Sequence, residues 1–443
     1  MIESARDRDR RALGRMLTIQ VPGDKSISHR VLMLAPFAAG ASRLSGLSQG
    51  ADVAATAAAM RALGALPPDW DPRGEVTIDG PRELKTPAGV IDCGNSGTTA
   101  RLLLGLVAGS SVSATLDGDA SLRSRPMSRA FKPLVAAGAQ VRQRGQPGRL
   151  PLEIRGGGGA LEPIEHATGV ASAQVKGALL LAGLSARVPV TVVEPAPSRD
   201  HTERLLRQMG ASVESGRTEA GYRVHFSPPA ELVPFELKVP GDFSAAAFWL
   251  GLAVLGGAGP GLRIESVGMN PLRTGFMRAL EVMGADIEVE DRGEEAGEPV
   301  ADIVARRSAL TGLDLPPDWI PTLLDEIPIL ACVAAQAGCR LEIRGASELR
   351  VKESDRIAVL SRNLSRLRVE VKELDDGLII EGSTGTLSGV VEAHADHRIA
   401  MAFAVLGALP ENSIEIDDAS CVDVSYPDFW ETLAAVSGGG GAG

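Results

Sequence analysis

The chain has 443 residues, 44% of them hydrophobic, with a formal net charge of −11. That length allows two or three domains with substantial cores, and the negative balance disfavours nucleic acid, whose binders display a basic face. Four cysteines without a C-x-x-C pair, and six histidines without a metal-ligand spacing, give no disulfide framework and no zinc site, so no metal or redox cofactor is expected.

The first segment, MIESARDRDRRALGRML, mixes Glu3, Asp7 and Asp9 with its arginines and lacks an apolar core, which argues against a targeting peptide and for a cytoplasmic protein. The longest apolar runs are broken by glycine or polar residues and fall short of the ~20 continuous apolar residues of a membrane span. VPGDKSISHR (21–30) then opens the first of six Ala/Leu-rich segments. The others are NSGTTARLLLGLVAG (95–109), SAQVKGALLLAGLSA (172–186), DFSAAAFWLGLAVLGG (242–257), DEIPILACVAAQAG (325–338) and DHRIAMAFAVLGAL (396–409). Each is apolar nearly all round and is predicted to be a buried helix followed by a short strand.

A second element alternates with these. Amphipathic segments ending in Gly-Ala occur at Gly64, Gly138, Gly210 and Gly284, roughly 73 residues apart. Glycine at a helix end suits a left-handed cap. A fifth copy, LSRNLSRLRVEV (360–371), lacks the Gly-Ala, and FWETLAAVSG (429–438) reads as a truncated sixth. The tetrapeptide Val-Pro-Gly-Asp recurs at 239–242, after three such units. The expectation is two similar domains, residues 22–240 and residues 1–21 plus 241–443, with crossovers near 21–24 and 239–242.

Polar residues collect at the beginnings of the six buried helices: Lys25, Ser26 and Arg30; Asn95, Ser96 and Arg101; Ser172, Gln174 and Lys176; Asp242; Asp325 and Glu326; Asp396, His397 and Arg398. Helix N-termini attract anions. Asn95, Asp242 and Asp396 read as caps, but a cation in a first turn opposes the helix dipole at a cost of ~0.3–1 kcal/mol. Lys25, Arg30, Arg101 and Arg398 therefore point to anionic ligands. SLRSRPMSR (121–129) reads as a loop carrying Arg125 amid solvated arginines, SRDHTERL (198–205) adds Arg199 and His201, and ELRVKESDRI (348–357) adds Lys352, Glu353 and Arg356.

PGDKSISHR, GNSGTTARLL, SRPM, SAQVKGALLLAGL, SRDHTERL, DEIPILA, ELRVKESDRI and DHRIAMAF, in this order, resemble the 3-phosphoshikimate 1-carboxyvinyltransferase (EPSP synthase) family over roughly residues 16–435. The resemblance implies an α/β (α+β) enolpyruvyl transferase fold, an inside-out barrel of two domains with three βαβαββ units each and an active site in the cleft between them. It implies transfer of the enolpyruvyl group of phosphoenolpyruvate to the 5-hydroxyl of shikimate 3-phosphate by a monomer without cofactor. By position, Lys25 would touch both substrates. Ser26, Arg30, Ser172, Ala173, Gln174, Arg199, Asp325 and Lys352 would hold shikimate 3-phosphate. Gly97, Arg125, Gln174, Arg356 and Arg398 would hold phosphoenolpyruvate, with Glu353 and His397 beside them. Lys25, Asp325, Glu353 and His397 would be the catalytic set.

Departures from the family pattern are Glu348, where some members carry asparagine, and Val424, where some carry lysine. The related UDP-N-acetylglucosamine enolpyruvyl transferases are recognised by a cysteine in the loop before their Arg-Pro, and DGDASLRSRPM (117–127) contains none. A non-catalytic anion binder on the same scaffold would need the arginines but not the carboxylates Asp325 and Glu353.

Overall fold

The computed structural model describes residues 16–67, 74–158 and 160–438. The reading of the first fifteen residues as lacking a targeting signal lies outside them. The chain divides into two compact units, one of Pro22–Pro240 with Glu294–Glu298, the other of Met1–Val21, Gly241–Gly293 and Pro299–Gly443. Both divisions fall inside a Val-Pro-Gly-Asp copy. At the first, Gly23 is obligatory because a Cβ there would lie 1.8 Å from the Gly46 carbonyl oxygen.

The six Ala/Leu-rich segments and the amphipathic ones alternate as helices. In the first unit these are α1 (Lys25–Leu34), α2 (Ala51–Ala62), α3 (Gly97–Gly109), α4 (Ser128–Ala136), α5 (Ala173–Ala186) and α6 (His201–Gln208). In the second they are α7 (Phe243–Val254), α8 (Gly275–Val282), α9 (Ile327–Ala337), α10 (Arg356–Arg366), α11 (His397–Gly407) and α12 (Phe429–Gly438). The odd-numbered helices form the interior: their side chains dominate two separate hydrophobic cores, one per unit.

Each repeat lays a short strand parallel to the strand that follows its buried helix, and all but the sixth add antiparallel partners. Ile91–Asp92 pairs parallel with Ser113–Asp117, which pairs antiparallel with Leu152–Arg155, itself antiparallel to Gln140–Gln143. Ile164–Ala167 with Val190–Glu194, and Leu313–Asp314 with Arg340–Ile343, repeat that parallel step, and both sheets continue with antiparallel partners. The order is therefore βαβαββ. In the sixth repeat Ser388–Val391 and Ser413–Ile416 form a parallel pair alone.

In the repeats that follow the two Val-Pro-Gly-Asp copies, the parallel strand comes from elsewhere in the chain. Leu17–Gln20 pairs with Leu262–Gly268, and Glu236–Lys238 pairs with Ala41–Ser45. The tetrapeptides thus stand where the chain leaves a strand of one repeat and enters the buried helix of another.

The amphipathic helices end as their glycines require. Gly64, Gly138, Gly210 and Gly284 have φ between +73° and +104°, and the amides of the glycine and of the next alanine return to carbonyls of the last turn. Arg368 occupies the same place after α10 with φ +64°, so the repeat keeps its geometry where it lost its glycine.

Among the described residues one helical stretch, Pro317–Ala337, is long and apolar enough to cross a membrane by length and composition alone; 72% of its most apolar part is buried inside the protein, as a core element would be. All four cysteines are free and buried.

Candidate active site

In the first unit, α3 and α5 lie unusually close. A Cβ at Gly105 would sit 1.8 Å from the Ala178 carbonyl oxygen, and one at Gly109 2.2 Å from that of Ala182. Small residues at these spacings let the two helices run side by side and bring their N-termini together. Arg101 consequently donates to Gln174 Oε1 at 2.7 Å, and Gln174 Nε2 donates to Thr98 Oγ1 at 2.9 Å. Ser96 and Ser172 cap the two helices.

At the start of α1, Asp24 accepts from the Ile27 amide at 2.9 Å, and Lys25 Nζ lies 3.0 Å from Asp52. Arg30 is buried; its Nε donates to Thr202 Oγ1 at 2.7 Å and its NH1 to the Ser26 carbonyl at 2.8 Å. Burial lowers the Arg30 pKa to about 10 although Glu203 and Asp24 oppose that shift, so it remains a cation at neutral pH. Arg125 donates to Asn95 Oδ1 and, at 3.2 Å, to Ser121 Oγ. Ala173 is the first residue of α5 and offers backbone only, and Arg199 lies half-buried ahead of α6.

The second unit contains the carboxylate-rich cluster. Arg356, the first residue of α10, donates through Nε to Asp396 at 2.8 Å and through NH2 to Glu353 at 2.6 Å; its NH1 stands 3.4 Å from Asp325. Lys352 Nζ is 3.2 Å from the same Asp325 oxygen, and Arg398 NH1 donates to the Asp325 carbonyl at 3.0 Å. Burial alone would lower the Arg356 pKa, but Asp396, Glu353 and Asp325 hold it above its ordinary value. Burial would likewise raise Asp396, yet Arg356, with a smaller contribution from His397, keeps that carboxyl below the usual range. His397 is buried in the first turn of α11.

Of the residues singled out in the sequence, Lys25, Ser26, Arg30, Gly97, Arg125, Ser172, Ala173, Gln174 and Arg199 belong to the first unit. Asp325, Lys352, Glu353, Arg356, His397 and Arg398 belong to the second.

Three readings are corrected. Asn95 is not a cap, since Ser96 holds that place; Asn95 instead links Arg125 to Asp119. Arg30 and Arg101 lie in second turns rather than first, because their helices begin at Lys25 and Gly97, so they do not oppose a dipole. The segment 121–129 is largely helical, within Ala120–Ser124 and Ser128–Ala136, and Arg125 is the first of the three residues between them.

Asp52 and Asp24 were missed, being acidic residues near helix starts that look like ordinary caps. Asp396 is a cap as expected, but also the carboxylate partner of Arg356. Val424 lies in the turn Ser420–Val424 and supplies no cation there, while Glu348 is half-buried in Ser347–Val351.

The family model for EPSP synthase (3-phosphoshikimate 1-carboxyvinyltransferase) matches residues 16–433. The chain belongs to that family. A 3-phosphoshikimate 1-carboxyvinyltransferase of Gloeobacter violaceus is 50% identical over 422 residues, 94% of this chain and 96% of that protein. One from Gluconobacter oxydans is 45% identical over 426 residues, 95% of each chain. The solved EPSP synthase of Acinetobacter baumannii matches with a TM-score of 0.81 at 41% identity, covering 95% of both chains. The enolpyruvyl transferase NikO of Streptomyces tendae, at 17% identity and a TM-score of 0.70, over 96% of this chain and 95% of that one, shares the fold. The EPSP synthase family carries out 3-phosphoshikimate 1-carboxyvinyl transfer, and this chain is an enzyme of that family.

Proposed function

We propose that the chain transfers the enolpyruvyl group of phosphoenolpyruvate to the 5-hydroxyl of shikimate 3-phosphate. The observation that carries this reading is the pairing of two carboxylates, Glu353 and Asp325, with one buried arginine, Arg356. An arginine aimed at a bound anion and flanked by an acid and a base is what the addition and elimination steps require.

In the addition, the 5-oxygen bonds to C2 of the enol, C3 takes a proton, and the hydroxyl proton leaves. In the elimination, the C2–O bond to phosphate breaks and C3 returns a proton. One group must therefore act first as acid and then as base near C3, and a second must receive the hydroxyl proton. We assign Glu353 to C3 and Asp325 to the hydroxyl, with Lys25 as proton carrier and His397 next to the reacting group. Arg125, Arg356, Arg398 and Lys25 offset the charge of two multiply charged anions, an effect strengthened where water is excluded.

Ser26, Arg30, Ser172, Ala173, Gln174, Arg199 and Lys352 hold shikimate 3-phosphate on this reading. Gly97 leaves room for phosphoenolpyruvate. On the same reading the enzyme works without a cofactor, as a monomer in the cytoplasm.

The test is phosphate release from phosphoenolpyruvate with and without shikimate 3-phosphate. Release is expected only with both substrates. Glu353→Gln and Asp325→Asn are each expected to lower turnover by about 10² or more while titration still detects shikimate 3-phosphate binding. Unaltered turnover in both variants defeats the assignment of roles.

A further inference from the structure

Beside the residues assigned above, the first unit buries a lysine between two glutamates. Lys176, in the first turn of α5, places Nζ 3.0 Å from Glu194 and 2.8 Å from Glu203, and all three side chains are at most 1% exposed. The same ammonium donates to the Ser198 carbonyl at 3.1 Å. Burial favours the neutral amine, but Glu203 and Glu194 together hold the Lys176 pKa above its ordinary value. Arg30, whose field Glu203 also feels, provides the second positive charge.

Such an interior ion group is a poor source of stability, because apolar side chains of similar volume often do as well or better. Its value must lie in what it holds in place. The two glutamates differ in that respect. Glu194, the last residue of the strand Val190–Glu194, accepts the Ser172 amide at 2.7 Å through Oε1 and the Ser198 hydroxyl at 2.8 and 2.9 Å through both oxygens. The described contact of Glu203 is its ion pair with Lys176. Glu194 thus ties the N-cap of α5 to the segment that presents Arg199, two places that the proposed function gives to the phosphorylated acceptor.

We propose that Glu194, oriented by Lys176, is a positioning residue for the binding of shikimate 3-phosphate. The inference rests on the functional reading above. Loss of the Glu194 charge frees the Ser172 cap and the Ser198–Arg199 segment from each other, so that part of the acceptor's binding energy is consumed in ordering them.

Glu194→Gln and Glu203→Gln, both nearly isosteric, separate positioning from simple burial. The measurements are calorimetric titration of the full chain with shikimate 3-phosphate and steady-state kinetics at saturating phosphoenolpyruvate. Glu194→Gln is expected to weaken acceptor binding about tenfold or more, the range for a lost hydrogen bond to a charged group, and to raise the acceptor KM with kcat little changed. Glu203→Gln is expected to leave both near the wild-type values. Wild-type affinity in Glu194→Gln, or equal losses in the two variants, overturns the proposal. Should Glu194→Gln not fold, the triple variant Lys176→Met/Glu194→Leu/Glu203→Leu replaces the whole ion group by apolar side chains, and wild-type affinity in that variant overturns it equally. Failure of the wild-type chain to bind shikimate 3-phosphate defeats the functional reading instead.

Discussion

Arg356 and Asp396 meet through two hydrogen bonds, 2.8 Å from Nε and 3.2 Å from NH2, with neither side chain reaching solvent. Asp396 also accepts the Ser354 hydroxyl at 2.9 Å and caps α11 through the Arg398 amide at 3.0 Å. One carboxylate therefore orients the segment that bears Glu353, the guanidinium of Arg356 and the helix start that bears Arg398.

Asp396→Ala is expected to destabilise the protein by about 3–5 kcal/mol, the usual consequence of removing one partner from a buried ion pair, as read by urea unfolding. Arg356→Lys keeps the charge but not the planar fork that can serve Asp396 and an anion together. It is expected to raise the KM for phosphoenolpyruvate about tenfold or more. Because the Asp396 pKa is depressed on folding, its stabilising effect is complete above its ordinary value of 3.8 and is lost as pH falls through the folded value. Asp396→Ala should therefore show a shallower acid limb than wild type.

Gly97 is packed beneath arginines. A Cβ there would lie 2.7 Å from Arg101 NH1 and 3.4 Å from Arg125 NH1, both ends of flexible side chains rather than backbone. Gly97→Ala should consequently fold normally, since the guanidinium groups can give way, but at the expense of their positions at the start of α3. The expected outcome is a raised KM for phosphoenolpyruvate with melting temperature nearly unchanged. An unchanged KM defeats the placement of Gly97 at that substrate.

The helices were legible because their signals are local. A run such as GTTARLLLGLVAG announces burial by composition, and Gly138 or Gly284 announces a helix end by its backbone freedom. The partners of the charged residues were not legible in that way. Lys25 meets Asp52 only because α1 packs against α2, and Arg356 meets Asp396 because α10 and α11 begin side by side. Asn95 failed as a cap for a subtler reason: two adjacent polar residues can each cap α3, and Ser96 takes the place, leaving Asn95 for Arg125 and Asp119. The acidic residues that steer the site were hidden by the ordinariness of acids at helix starts.

Arg368 carries the backbone conformation of the four cap glycines, φ +64°, with an exposed side chain. A side chain with a Cβ in the left-handed region is disfavoured by about 1–2 kcal/mol, an amount partly offset by the greater freedom of glycine in the unfolded chain. Arg368→Gly is therefore expected to stabilise the protein by about 0.5–1 kcal/mol, seen as a higher denaturation midpoint at unaltered m-value. A lower midpoint shows that Arg368 contributes a favourable interaction greater than its backbone strain.

His29 lies fully buried on α1 with Nδ1 2.6 Å from Thr56 Oγ1. Burial first, then the positive charges of Lys25 and Arg30, hold its pKa well below the ordinary 6.5. The unfolded chain takes up a proton at this histidine near pH 6.5 while the folded chain does not until much lower pH, so stability falls as pH drops through that interval. The contribution is about 1.4 kcal/mol per pH unit for one such group. His166, which burial also shifts downward, acts in the same direction. His29→Gln, which retains a hydrogen-bonding group for Thr56, is expected to be less stable at pH 8 but to lose less on acidification to pH 5. Urea unfolding across that range gives the slope directly, and parallel curves for the two proteins defeat the assignment of a neutral His29.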